Sequence, residues 1–164
     1  MKVWTLMGKS KSTASDPFAA ALRLLTRRDR SEAELRDKLN QFGFSASRVD
    51  AAIKKCHDYN YLDDRRFAQE RARALMRSGR GIGPKVLLDL RRRGIDESLA
   101  KQTLETVSRE FDPRQLLRKK LTSRYPGFNY QGADEKERRR VIGYFQRRGF
   151  SLESIFAVLK ESPQ

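Results

Sequence analysis

The stretch YLDDRRFAQERARALMRSGRGIGPKVLLDLRRRGI, residues 61–95, predicts two helices separated by a glycine-rich turn. The Asp63-Asp64 pair suits a helix N-terminus, because unpaired N–H groups and the helix dipole favour acidic side chains there. Residues 79–83 interrupt the first helix, Pro84 suits the first position of the second, and Gly94 predicts its end. Apolar side chains recur at helical spacing in both segments: Ala68, Ala72, Leu75 and Met76, then Val86, Leu87 and Leu90.

The same stretch is strongly basic. Residues 65–93 hold ten lysines and arginines against Glu70 and Asp89, a net charge of +8 in a chain whose net charge is +15. Nothing in this segment resembles a set of catalytic side chains. The charge therefore predicts a surface that meets a polyanion or an acidic protein.

Length and composition narrow the class of protein. The chain has 164 residues, enough for one domain with a buried core, and its charge favours nucleic acid as the first partner to consider. Cys56 is the single cysteine, so an intramolecular disulfide is impossible and the reducing cytoplasm is the expected compartment. No apolar run reaches the roughly 18 residues of a membrane helix, and the start does not read as a secretory signal. We expect a monomer with no membrane association.

A three-helix unit recurs three times along the chain. Its clearest marker is the glycine that ends each second helix, namely Gly43, Gly94 and Gly149. Apolar residues stand at matched positions around these glycines: Leu35, Leu39, Phe44, Val49 and Ile53 in the first unit, Val86, Leu90, Ile95, Ala100 and Leu104 in the second, and Val141, Phe145, Phe150, Ile155 and Leu159 in the third. Because no strand pattern appears, we predict an all-α fold of three tandem three-helix repeats stacked into an elongated, curved body.

The repeat pattern also predicts boundaries. We assign a disordered basic tail to residues 1–15 and the repeats to residues 16–61, 62–111 and 112–164, forming one continuous domain. The third repeat is slightly longer, and its additional residues fit a longer loop at 125–132.

Several helix starts carry capping signals. Asp16-Pro17 and Asp112-Pro113 each place an N-cap residue before a proline, which suits the first helical position. Ser31-x-x-Glu34 and Ser47-x-x-Asp50 are both typical of capping boxes. In the first helix, the expected buried stripe consists of Phe18, Leu22 and Leu25.

Candidate chemical sites have weak support. His57 follows Cys56, but zinc takes about four ligands and the chain has no other histidine or cysteine, so we expect Cys56 in the core and His57 at the surface. The Asp63-Asp64 pair is explained by helix capping. The segment 79–84 lacks the Lys-Ser/Thr of a phosphate-binding loop and is interpreted as a hinge or a flexible basic rim. We expect no catalytic residue, no metal site and no cofactor.

Two helices joined at a glycine also suggest the helix-turn-helix of sequence-specific DNA-binding proteins. Its recognition helix should be basic, whereas residues 97–110 and 152–161 each carry a net charge of −1. Positive charge lies instead on the first and second helices of the repeats, which favours contacts that do not read bases. The candidate residues for partner and DNA binding are Arg66, Arg71, Arg73, Arg77, Arg80, Lys85, Arg91, Arg92, Arg93, Arg138, Arg139, Arg140, Arg147 and Arg148.

Several segments resemble the RecX family of recombinase regulators. They are Tyr61–Ala68 (YLDDRRFA), Gly83-Pro84 with Leu87, Arg93–Ile95 (RGI), Ser31–Leu39 (SEAELRDKL) and Arg147–Phe150 (RRGF), within a similarity that covers about residues 16–160. The resemblance implies three tandem three-helix repeats, a bacterial cytoplasmic protein, and binding in the helical groove of the RecA recombinase filament on DNA. Family members typically lower strand exchange, ATP hydrolysis and co-protease activity of that filament, with no catalysis of their own. The motifs are largely structural, so they assign no role to the candidate arginines.

The first functional hypothesis is therefore a non-enzymatic regulator of the RecA filament in DNA repair, recombination and the SOS response. Its basic faces would contact the filament and single- and double-stranded DNA. Inhibition would follow from blocked subunit addition, blocked motion between subunits or blocked access of a second DNA. The alternative is a general nucleic-acid-binding protein without sequence preference. A basic nuclease would need paired acids or a metal site, and the sequence offers neither.

Overall fold

The computed structural model describes residues 16–161 and is all-α over that range, as predicted. Its nine helices are α1 (Pro17–Arg27), α2 (Glu32–Gln41), α3 (Ala46–Asp58), α4 (Asp64–Arg77), α5 (Pro84–Arg92), α6 (Glu97–Ser108), α7 (Pro113–Arg124), α8 (Glu135–Gln146) and α9 (Leu152–Glu161). The tail predicted for residues 1–15 lies outside the described residues, and the predicted repeat boundaries stay a prediction.

Side-chain caps explain where most helices begin. Asp16 accepts hydrogen bonds from the amides of Phe18 and Ala19 ahead of Pro17, and Ser31 Oγ accepts from the Glu34 amide as the capping-box pattern predicts. Asp63 caps α4 by accepting from the Arg66 amide. These contacts satisfy N–H groups that have no partner within their own helix.

In the first three helices one capping prediction is wrong and one apolar stripe is only partly buried. The helix α3 begins after Ser45, which makes no side-chain cap, and Asp50 pairs with Arg36 instead of closing a capping box with Ser47. The fully buried face of α1 consists of Pro17, Ala20, Ala21 and Leu24, with Phe18, Leu22 and Leu25 only half-buried beside it. The small residues of α1 thus face the core, and the larger ones flank it.

The three marker glycines end α2, α5 and α8 in the same way. Gly43, Gly94 and Gly149 have φ of +88°, +77° and +94°, the left-handed conformation that glycine adopts without strain. Thirteen of the fifteen matched apolar positions are buried, and nine of them are fully buried: Leu35, Leu39, Val49, Val86, Leu90, Ala100, Val141, Phe145 and Ile155. Phe44 and Leu104 are partly buried and pack against the core. The sequence repeat is therefore a repeat of buried positions.

A boundary between two compact units falls after Leu62. In the first unit, α1, α2 and α3 pack against one another around a core that includes Leu35, Val49 and Cys56. In the second unit, α4, α5 and α6 pack mutually, and α7 and α8 both pack on α9. One core cluster runs through all six of these helices, so the last two helix triads share their apolar interior.

The α4–α5 loop, residues 78–83, is docked within the second unit. The Ile82 amide donates to the Arg148 carbonyl oxygen at 2.9 Å, and Lys120 Nζ donates to the Ser78 carbonyl oxygen at 3.2 Å. Gly79, Gly81 and Ile82 are buried. The loop expected to be a hinge is therefore held at one end by a hydrogen bond from the Lys120 side chain and at the other by a main-chain hydrogen bond.

Within the described range, none of the helices is long and apolar enough to cross a bilayer.

Candidate functional site

All fourteen candidate cations lie in the second unit. Arg66, Arg71, Arg73 and Arg77 are on α4, Arg80 is in the α4–α5 loop, Lys85, Arg91 and Arg92 are on α5 with Arg93 as its C-cap, Arg138, Arg139 and Arg140 are on α8, and Arg147 and Arg148 directly follow it. Their environments differ, and they separate into side chains that hold the fold and side chains that face solvent.

Arg71 and Arg93 hold one carboxylate between them. Arg71 donates from Nε and Nη2 to the two oxygens of Asp89 at 2.7 and 2.8 Å, and Arg93 Nε donates to the same carboxylate at 2.9 Å. About a quarter of each of these three side chains is exposed. The hydrogen bonds from Arg71, then those from Arg93, hold the pKa of Asp89 below its usual value. This cluster joins α4 to the end of α5, so both arginines have a structural task.

Arg73 is held in a similar way on another side of α4. Its guanidinium donates to the carboxylate of Glu110 at 2.8–3.2 Å and to Glu70 at 2.8 Å. The bonds from Arg73 lower the pKa of Glu110. Because Glu110 follows α6, this ion pair ties α4 to the far end of its own helix triad.

Arg138 and Arg148 are half-buried and stack on aromatic rings. Arg138 lies 4.9 Å from the centre of the Tyr130 ring and donates to the carbonyl oxygens of Tyr130 and Gln131 at 2.8 and 2.9 Å. Arg148 lies 3.4 Å from the centre of the Tyr144 ring and donates to the Tyr144 carbonyl oxygen at 3.0 Å. Both guanidiniums are hydrogen-bonded to main-chain carbonyl oxygens, so fewer of their N–H groups are available to a partner.

The other nine candidates are exposed. Arg91 is 4.0 Å from Glu97, Arg140 is 3.5 Å from Glu137, and Arg139 pairs with Glu135, all at the surface where such pairs are weak. Arg80 donates to Ser78 Oγ at 3.1 Å. Among residues 16–161, no ion pair is formed by the remaining five: Arg66, Arg77, Lys85, Arg92 and Arg147. A polyanion could therefore bind these five cations without breaking an ion pair of the protein.

The sequence analysis did not predict that Asp89 and Glu110 form ion pairs with Arg71 and Arg73. Asp89 stands four residues before Arg93, a helical spacing that predicts an ion pair, but its pairing with Arg71 depends on how α4 and α5 pack. The pairing of Arg73 with Glu110 has no local signal at all.

The weak chemical candidates are structural, as expected for Cys56 and His57. Cys56 is fully buried, and burial raises the pKa of its thiol. His57 is exposed, with Nε2 2.9 Å from Glu32, and this contact is the first cause of a lowered pKa at Glu32. Over the described residues, no group of three or more histidine, cysteine or acidic side chains could hold a metal ion.

Comparisons with known proteins place this arrangement in a family. The family model described as RecX, first three-helix domain, matches residues 18–56, and the model described as RecX, third three-helix domain, matches residues 114–159. A regulatory protein RecX from Syntrophotalea carbinolica is 41% identical over 147 residues, which cover 90% of this chain and 96% of the relative. The chain belongs to the RecX family. The resemblance found in the sequence is thereby confirmed.

Other members of the RecX family agree with this assignment. The regulatory protein RecX of Trichlorobacter lovleyi is 39% identical over 86% of this chain and 92% of its own length. The crystal structure of RecX from Lactobacillus salivarius has a TM-score of 0.65 at 21% identity, covering 88% of this chain and 93% of that one. This structural similarity concerns the fold.

Proposed function

We propose that the protein is a non-enzymatic regulator that binds the RecA recombinase filament on DNA. In this role it inhibits the strand-exchange, ATPase and co-protease activities of the filament during DNA repair and recombination in the cytoplasm. Membership in a family whose relatives are named regulatory protein RecX is the observation that carries the proposal. The protein acts as a monomer and needs no cofactor.

The exposed cations of the second unit form the contact surface in this proposal. Arg66, Arg77, Lys85, Arg92 and Arg147 contribute first, because a phosphate or carboxylate reaches them without competing against an internal ion pair. Arg71, Arg73 and Arg93 contribute less, since each already neutralises an acid of the fold. The fourteen candidate residues therefore differ in how much each contributes to binding.

DNA contributes to binding through its phosphates. A surface of scattered arginines without base-reading geometry gives little sequence preference, and binding weakens steeply with salt because bound phosphates release counterions. On single strands the slope of log K against log salt is about −0.7 for each phosphate that is neutralised.

A general nucleic-acid-binding protein is the second candidate. The same exposed cations favour it, because they would serve equally well on naked DNA. The two functions differ in whether the recombinase adds to the interaction.

Titration into a RecA ATPase assay, with binding to the same DNA measured in parallel without recombinase, separates the two. We expect ATP hydrolysis to fall at protein concentrations too low to coat the DNA alone. Inhibition that appears only once the DNA is saturated supports the second candidate and contradicts the first.

A further inference from the structure

The longer loop of the third repeat, residues 125–132 between α7 and α8, is the one motif of the sequence that the proposed function does not use. It has a fixed internal structure. The Phe128 amide donates to the Tyr125 carbonyl oxygen at 3.1 Å, and Gly127 takes the positive φ of +75° that a tight turn requires. Asn129 Oδ1 then accepts from the amides of Gln131 and Gly132 at 2.9 and 3.3 Å.

Arg138 fastens the far end of this loop to α8. Its guanidinium binds the carbonyl oxygens of Tyr130 and Gln131 and stacks over the Tyr130 ring. Tyr130 packs edge-on against Phe156 of α9, with ring centres 6.3 Å apart. The loop is therefore preorganised, and a ligand would not have to pay the entropy of ordering it.

A cleft of about 410 Å³ lies between the near end of the loop and α8. Tyr125 and Phe128 line it with aromatic rings, and Arg124, Arg140 and Glu137 line it with charge. Its size falls within the range of small-molecule sites, which runs from roughly 300 to 1,000 Å³.

Both arginines of the cleft lie close to the same aromatic ring. Arg124 lies 5.6 Å and Arg140 5.9 Å from the centre of Tyr125, whose ring meets Tyr144 edge-on at 5.4 Å. Both guanidiniums are exposed, and Arg140 is only loosely paired with Glu137 at 3.5 Å. Two arginines and one glutamate leave a net charge of +1, which matches one phosphodiester.

We propose that this cleft binds one unpaired nucleotide of single-stranded DNA. The base packs against Tyr125 and Phe128, and Arg124 and Arg140 bind the one adjoining phosphate, the combination by which proteins hold single strands. A duplex cannot enter, because its bases are stacked and paired. The Glu137 carboxylate is an acceptor for an exocyclic amino group such as N4 of cytosine. The inference deepens the DNA contact of the proposed function and rests on it.

The test uses the full chain and two labelled probes in fluorescence anisotropy at about 0.1 M salt. One probe is an oligodeoxycytidylate of about 15 nucleotides, and the other is an abasic strand with the same number of phosphates. We expect the parent protein to bind the cytosine strand about tenfold more tightly, because only that strand can stack on the rings.

Variants assign this preference to the cleft. Tyr125→Leu should reduce the ratio of the two dissociation constants to about one, and Tyr125→Phe should keep it. Phe128→Leu should also lower this ratio. If Tyr125→Leu does not fold, Phe128→Leu serves as the test variant in its place. Arg124→Gln/Arg140→Gln should weaken both probes more than Arg114→Gln/Lys119→Gln, which removes the same charge from exposed sites on α7.

Equal binding of the two probes by the parent protein would contradict a nucleotide site in the cleft but not the DNA contact of the proposed function. Binding of neither probe, with ATPase inhibition retained, overturns the DNA contact and the cleft together but not the regulation of RecA. If folded Tyr125→Leu and Phe128→Leu still bind the cytosine strand tenfold more tightly than the abasic strand, the base binds outside the cleft and the proposal is wrong. Displacement of the cytosine strand by an equally charged polyglutamate peptide at the same concentration assigns the cleft to an acidic protein segment instead.

Discussion

The main-chain amide of Ile82 donates a hydrogen bond to the carbonyl oxygen of Arg148 at 2.9 Å, across 66 residues of sequence. Directly after Arg148, the turn at Gly149 lies so close that a Cβ there would stand 2.2 Å from the Ile82 carbonyl oxygen. The glycine therefore serves two purposes, since it ends α8 and admits the α4–α5 loop. Through this contact the second helix triad is joined to the third by main-chain atoms as well as by the shared core.

Gly149→Ala should destabilise the second unit by roughly 2–4 kcal/mol, because the added methyl group both strains the left-handed turn and pushes the Ile82 loop away. Urea unfolding followed by far-ultraviolet circular dichroism measures the loss. Hydrogen exchange should show the amides around Ile82 losing protection first.

Gly43 and Gly127 are the controls for this substitution. Their φ values are +88° and +75°, and an added Cβ would meet nothing within 4 Å at either site. Alanine there should cost only the backbone strain, about 1 kcal/mol. Equal losses for Gly149→Ala and the two controls would mean that the close approach to Ile82 contributes nothing.

Leu90→Ala should cost roughly 2–5 kcal/mol, because Leu90 is fully buried and its truncation leaves a cavity in the core of the second unit. Leu88, on the same helix, has 39% of its surface exposed, and Leu88→Ala should cost about 1 kcal/mol or less. The two urea midpoints compare the sites directly. A similar loss at both positions would contradict the core assigned from the repeat.

Asp89→Asn should remove about 1–3 kcal/mol near neutral pH, since both Arg71 and Arg93 lose a charged acceptor. Folding lowers the pKa of Asp89 below 3.8, so the unfolded chain binds protons first as the pH falls. The stabilisation by Asp89 is complete above that pH and fades as the pH drops through the lower pKa of the folded state.

Unfolding free energies measured from pH 5 to about 2 should therefore converge for the parent protein and Asp89→Asn at the acid end. Asp37→Asn, at an exposed site of α2, controls for the loss of a negative charge and should change the free energy of unfolding near neutral pH by no more than about 0.5 kcal/mol. A constant gap between the parent and Asp89→Asn at every pH would show that shape, and not charge, makes residue 89 important.

The sequence predicted the helices and most of the core because both follow from local rules. The helical spacing of residues such as Val86, Leu90 and Ala100 predicts a buried face. A glycine after a run of basic residues predicts the end of a helix. The errors in the first unit have local causes too. Ser47 could have capped α3 as well as Ser45, and the alanines of α1 carry less hydrophobic signal than the larger residues beside them.

The candidate site was predictable as a list of charges but not as a surface. Nothing within a few residues of Arg73 shows that Glu110 neutralises it, and nothing near Ile82 shows that Arg148 accepts its amide hydrogen. Such pairs form only when helices meet in three dimensions. Arg73 and Arg77 are four residues apart and so lie on one face of α4, but the ion pair of Arg73 with Glu110 leaves Arg77 more available to a partner.

That inequality determines the best charge-reversal experiment. Arg66→Glu/Arg77→Glu changes two exposed arginines of α4 that form no ion pair within residues 16–161. Arg23→Glu/Arg27→Glu is matched to it in the first unit, with two exposed arginines of α1 that also lack ion pairs there. Each pair includes one arginine in the last turn of its helix, Arg77 and Arg27, where a glutamate is unfavourable to the helix dipole. Arg66 differs from Arg23 because it lies in the first turn of α4, where the dipole favours a glutamate.

If the second unit supplies the contact face, Arg66→Glu/Arg77→Glu should weaken inhibition of the RecA ATPase at least tenfold, because repulsion replaces attraction at two positions. Both double variants should unfold within about 1 kcal/mol of the parent, since neither breaks an internal contact. The first-unit variant should inhibit almost normally, because residues 16–61 carry nine basic side chains against seven acidic ones and have little net field. The result that tests the proposal is which of the two double variants loses more inhibition. Normal inhibition by Arg66→Glu/Arg77→Glu, together with its loss in Arg23→Glu/Arg27→Glu, would place the working surface on the first unit.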